Sequence, residues 1–173
     1  MPSRPGPNAA FLLSQLGTLA SARFAEALAA LELTPPLAGV LRVLGAQPGL
    51  SQQELARRLA AAPSRVVGYL DELQGRGAIA RAPGDDRRVN RITLTETGRE
   101  LLDDVTRVAR NHNESLLASL NASQRRELRD LLASLAEGLG LQPSAHPGYA
   151  RPDVSRSAGG TGSPRPRSAQ LRP

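Results

Sequence analysis

The chain has 173 residues, enough for one ordinary domain with a real core and too few for two large ones. Its 22 basic residues outnumber 16 acidic ones for a net charge of +6, and every basic residue is arginine, so the placement of the arginines carries more information than their number. Cysteine is absent, which removes disulfides, thiolate metal sites and thiol redox sensing, and the two histidines, His112 and His146, lie too far apart to suggest zinc; no metal or cofactor is expected.

From the N-terminus, Leu12, Leu16, Leu19, Phe24, Ala27, Leu28 and Leu31 follow one stripe and predict a long amphipathic helix. A secretory leader competes for the same residues, because Arg4 precedes "AAFLLSQLGTLA" and a small-x-small "ASA" follows. The helical stripe runs straight through that cleavage point and explains more. The uncharged run 5–22 contains Pro, Gly, Asn, Gln, Ser and Thr, too polar a mixture to span a bilayer, so a cytoplasmic protein with no membrane partner is expected.

A second helix is predicted in "ELTPPLAGVLRVLGAQPG", with Thr34 as N-cap, Pro35 at the first helical position, and Leu37, Val40, Leu41 and Leu44 on one face. It ends near Gln47, ahead of Pro48-Gly49. Ser51 and Glu54 form a capping box that opens a short third helix, with Leu55 and Leu59 pointing inward. After a tight connection, Ala62 as N-cap and Pro63 start a fourth helix that Gly75 and Gly77 stop. Two β-prone pieces, "AIAR" at 78–81 and "VNRITLT" at 89–95, then flank a Pro-Gly turn. Two short helices joined tightly and followed by a hairpin make a helix-turn-helix with a wing.

Beyond the wing, Thr95 caps a long helix marked by Leu101, Leu102, Val105 and Val108, and "NASQRRELRDLLASLAEGLG" gives another with Leu128, Leu131, Leu132 and Leu135. The fold class is mainly α, an α+β winged helix-turn-helix with flanking helices. A unit of this size cannot cover all these apolar faces, so a homodimer is expected. The organisation reads as an N-terminal dimerisation helix at 8–33, a DNA-binding winged helix-turn-helix at 34–98, C-terminal dimerisation helices at 99–140, and a tail at 141–173. In that tail Pro, Gly, Ser and Arg dominate from Gln142 onward with Asp153 as the single acid, the composition of a disordered basic segment.

In the fourth helix Val66, Tyr69, Leu70 and Leu73 have the spacing of a buried face. The opposite face presents Pro63, Ser64, Arg65, Val67 and Gly68 near the N-terminal end, where a reading helix meets base edges in the major groove. Arg65 can fork onto a guanine, Val67 can touch a thymine methyl, and Ser64 can hold a phosphate or a base edge. The wing adds Arg81 at its base, Arg87 and Arg88 near its tip and Arg91 on the return strand, a finger suited to the negative potential of a minor groove. Asp86 stands two residues before Arg88 and can orient its guanidinium and brace the turn. Isolated surface ion pairs contribute little. Here, however, eight arginines against four acids between Arg57 and Arg91 concentrate the positive charge in the proposed reading unit.

These residues resemble those of the MarR transcriptional regulators over roughly residues 9–139. Asp86 and Arg88 match the D-x-R of that family's wing tip, and "ITLTETG" matches its L-T-x-x-G opening of the next helix. The resemblance implies an obligate dimer in which the first and last two helices interlock, a recognition helix in each major groove, and Arg88 as the minor-groove residue. It also implies a repressor of nearby genes, released when a small ligand, often an anionic aromatic compound, binds between the dimerisation helices and the winged unit. Gly68 departs from the pattern, because many members carry a larger, often basic, side chain there.

The expected function is therefore a dimeric, sequence-specific regulator that binds double-stranded DNA at an imperfect palindrome. A winged-helix scaffold that binds only protein is the alternative, and it would not need Arg65 or an arginine-bearing wing. No enzyme is expected: Ser64 has no histidine partner in sight, and neither a phosphate loop nor a metal spacing is present.

Overall fold

The computed structural model describes residues 6, 8–84 and 90–141. Local capping chemistry opens most of its helices. Asn8 accepts from the Phe11 N–H at 2.9 Å and starts α1 (Ala9–Ala29). Thr34 occupies the N-cap position of α2 (Pro35–Ala46), but its side chain makes no cap hydrogen bond. Pro35 and Pro36 set that start instead, since proline has the φ of a first turn and no N–H to leave unpaired. Ser51 and Glu54 close the expected capping box on α3 (Gln52–Leu59).

The turn from α3 to α4 (Pro63–Gly75) is short, and it passes through Ala60 in a left-handed conformation, φ 49°, an arrangement that alanine adopts only at some cost. At the far end of α4, Gly77 (φ 67°) lets the Ala78 N–H reach back to the Leu73 carbonyl at 2.9 Å. That reversal delays the hairpin by one residue relative to the sequence pattern. Its strands are β1 (Ile79–Pro83) and β2 (Asn90–Leu94), antiparallel, in register from Ile79 opposite Leu94 to Pro83 opposite Asn90. Leu50 forms a bridge on the other side of β2, with Gly49 N–H to Ile92 O at 2.9 Å and Ile92 N–H to Leu50 O at 3.0 Å. The wing is thus hydrogen-bonded to the segment that precedes α3.

Thr95 caps α5 (Glu96–Leu116) as its position implies, and its hydroxyl also donates to Gly77 O at 2.6 Å. A second capping box, between Asn121 and Gln124, opens α6 (Ala122–Gly138). The core is centred on α2, which buries Leu37, Val40, Leu41 and Leu44 against Leu55 and Leu59 of α3 and Leu70 and Leu73 of α4, with Leu28 of α1, Val105 of α5 and Ile92 of β2 completing the cluster.

The apolar stripe of α1 divides. Its C-terminal half packs on the core through Phe24 and Leu28, with the Phe24 ring 5.4 Å from that of His112, while Phe11, Leu12, Leu13, Leu16 and Leu19 remain exposed. Helix α6 buries no residue, and Leu131, Leu135 and Leu139 are 63%, 46% and 68% exposed. Among the described residues, no helix is long and apolar enough to cross a membrane. The expected disordered tail lies outside the described residues, apart from Leu141 at its first position.

Candidate nucleic-acid interface

Helix α4 has two chemically distinct sides. Val66, Leu70 and Leu73 are fully buried and Tyr69 is half-buried against the same core. Because that stripe fixes the rotation of the helix, Pro63, Ser64, Val67 and Gly68 are left exposed and Arg65 half-exposed on the first two turns. Val67 keeps 38% of its surface, so its methyl groups are accessible on this face. An added Cβ at Gly68 would meet no atom within 4 Å, so the glycine leaves open space on this face instead of relieving a crowded contact. Five of the residues expected to read DNA therefore lie together on one short, accessible surface.

The wing arginines are placed differently. Asp86, Arg87 and Arg88, the expected tip, lie outside the described residues. Arg81 donates from Nη2 to Asp71 Oδ1 of α4 at 2.6 Å, and its side chain is 27% exposed. Arg91 donates from Nη1 to the Gly49 carbonyl at 3.1 Å and stands 3.5 Å from Glu54 Oε2. These two arginines are engaged by the body of the winged unit.

Glu54 links Arg91 to the start of α3. Its Oε2 accepts from the Ser51 hydroxyl at 2.6 Å and from the Ser51 N–H at 2.7 Å. Those hydrogen bonds, the hydroxyl first, hold its carboxyl below the usual glutamate range, with smaller contributions from Arg91 and Arg57. Arg57 and Arg58, in the last turn of α3, are exposed and form no ion pair among the described residues. Sequence reasoning counted them as charge without placing them, although their position in the first helix of a helix-turn-helix, the one that crosses the DNA backbone, was a usable signal.

Comparison with known proteins fits this geometry. A family model described as MarR family matches residues 31–88, the segment from the end of α1 to the wing. An HTH-type transcriptional repressor of Mycobacterium tuberculosis, Rv2887, is 36% identical over 126 residues, spanning 72% of this chain and 91% of the relative. The chain belongs to the MarR family. The crystal structure of the M. tuberculosis MarR family protein Rv2887 in complex with DNA superposes with a TM-score of 0.66 at 33% identity, covering 75% of this chain and 98% of that one. The same protein in complex with p-aminosalicylic acid gives 0.63 at 35% identity, covering 75% and 99%. The fold shared with those structures thus covers three quarters of this MarR family chain.

Proposed function

We propose that this MarR family chain is a dimeric repressor that reads an imperfect palindrome in double-stranded DNA and is released by a small anionic aromatic ligand. The observation that carries the reading is the accessible N-terminal half of α4. Its opposite face is locked into the core, so Ser64, Arg65 and Val67 are presented on a rigid element with no competing structural task for Ser64 or Val67. Arg65 reads a base, Ser64 holds a phosphate or base edge, and Val67 covers a thymine methyl. Arg87 and Arg88 enter the minor groove, with Asp86 orienting Arg88. Arg57 and Arg58 add backbone contacts from α3.

Two-fold assembly uses the surfaces that one chain leaves bare, the N-terminal half of α1 and the Leu131, Leu135 and Leu139 side of α6. The relative crystallised with DNA and with p-aminosalicylic acid supports both the nucleic-acid partner and the class of ligand. A regulator of this kind works where the chromosome is, which places it in the cytoplasm, and it needs no catalytic step.

Selection of bound sites from random duplexes, followed by titration of the selected site with and without salicylate, tests the reading. A two-fold site whose affinity drops when salicylate is added is the expected result. Equal affinity for selected and scrambled duplexes would overturn it.

A further inference from the structure

At the base of the wing, Arg81 has a position unlike that of a DNA ligand. Opposite residues of an antiparallel pair share a face, and alternate residues of a strand point the same way. Arg81 therefore lies on the face of Ile79, opposite Ile92, and both of these are buried, at 3% and 1% exposure. The residues on the outer face of the strand are Ala80 and Ala82, both exposed. Its guanidinium meets Asp71 in the C-terminal half of α4 at 2.6 Å, and its Nε is buried with no hydrogen-bond partner. The guanidinium is thus turned inward at Nε, while the pair itself stays partly exposed, with Arg81 27% and Asp71 59% accessible.

We infer that Arg81 is a positioning residue rather than a DNA contact: with Asp71 it latches the wing to the reading helix, so that groove-reading elements on α4 and beyond β1 keep a fixed mutual orientation. This rests on the DNA-reading function proposed above. The other side of the wing is already fixed, through Leu50 and the Arg91 contact with Gly49, so the Arg81–Asp71 pair is the matching restraint on β1. It also gives a role to Asp71, an acid on the helix that reads a polyanion. Left as an unpaired surface charge, Asp71 would only weaken binding.

The test compares full-length wild type, Arg81→Ala, Asp71→Ala and the double variant on the duplex selected by the wild type, across a salt series. The latch predicts that each single variant binds about three- to fivefold more weakly, the scale of one partly exposed ion pair. It also predicts that the double variant is no weaker than either single one, and that the slope of log affinity against log salt stays at the wild-type value. Weaker binding by Asp71→Ala is the telling result, because deleting an acid near DNA otherwise tightens it. The latch is overturned if Arg81→Ala makes the slope shallower by about 0.9, the loss of one phosphate contact, or if Asp71→Ala binds as tightly as wild type or better.

Hydrogen exchange in the DNA-free protein separates this from failure of the DNA-reading proposal. Both single variants should speed exchange across Ile79–Pro83 and Asn90–Leu94. Unchanged exchange in both would refute the latch whether or not the protein binds DNA, whereas faster exchange in a protein that selects no duplex would leave the latch standing and remove the reading function.

Discussion

At the scale of single residues, Gly98 shows how a short motif encodes a three-dimensional contact. It is buried in the first turn of α5, and a Cβ there would collide with the Ala78 carbonyl, a backbone group that cannot rotate away. The same Ala78 carbonyl accepts the Thr95 N–H at 3.1 Å, so the start of α5 is riveted to the turn after α4. Gly98→Ala should cost about 1–3 kcal/mol, the usual penalty of overpacking, read as a lower urea midpoint at an unchanged m-value. Glu54 gives a pH prediction. Its carboxyl binds a proton less readily in the folded chain than in the unfolded one. Its contribution to stability is therefore fully present above the ordinary glutamate value of 4.5 and is lost as pH falls below that through the lowered folded value. Glu54→Gln should flatten the acid limb of a stability-against-pH curve and leave the neutral region less stable than wild type. A limb as steep as wild type would mean that other carboxylates govern it. Arg81 was legible as a charge near DNA but not as a latch, because its partner depends on strand register; its two-residue spacing from Ile79 held the clue.

At the scale of elements, the start of a helix is readable wherever its cap is local chemistry. Ser51 with Glu54, Pro63 after Ala62, and Thr95 all act as their spacing implies. Thr34 has the right residue type and backbone but its side chain makes no cap bond, and the start of α2 rests on the prolines at its first two positions. The Asn121–Gln124 box has the same logic as Ser51–Glu54, and its three-residue spacing is equally legible in the sequence. The function of α4 depends on its rotation, which Val66, Leu70 and Leu73 fix. Arg65→Ala should lower affinity for the selected site by roughly 1–3 kcal/mol and relax preference at one position per half-site, with binding to random duplex nearly unchanged. Equal losses on selected and random DNA would reassign Arg65 to the phosphate backbone.

At the scale of the whole molecule, the unfilled parts of the fold are as informative as the core. The stripe on α1 looked uniform in sequence, yet only its second half finds partners within the chain, and α6 finds too little to bury any residue. Periodicity identifies an apolar face without saying which molecule covers it. A dimer supplies the cover, and Leu16→Glu combined with Leu135→Glu should shift sedimentation to a folded monomer and weaken binding to the selected site by at least about tenfold, since two linked half-sites become independent. The basic residues 151–173 should add affinity without preference, so truncation after Leu141 should weaken random and selected duplexes by similar factors and flatten the salt dependence.

In the proposed function two copies of this chain read DNA together through α4. Its most direct test is selection of bound sites from random duplexes by the full-length protein, with the mass of the resulting complex measured in solution. An imperfect palindrome with half-site centres about 10 base pairs apart, occupied by two chains, is the expected result. A single unrepeated motif occupied by one chain, or no enriched motif at all, would contradict it.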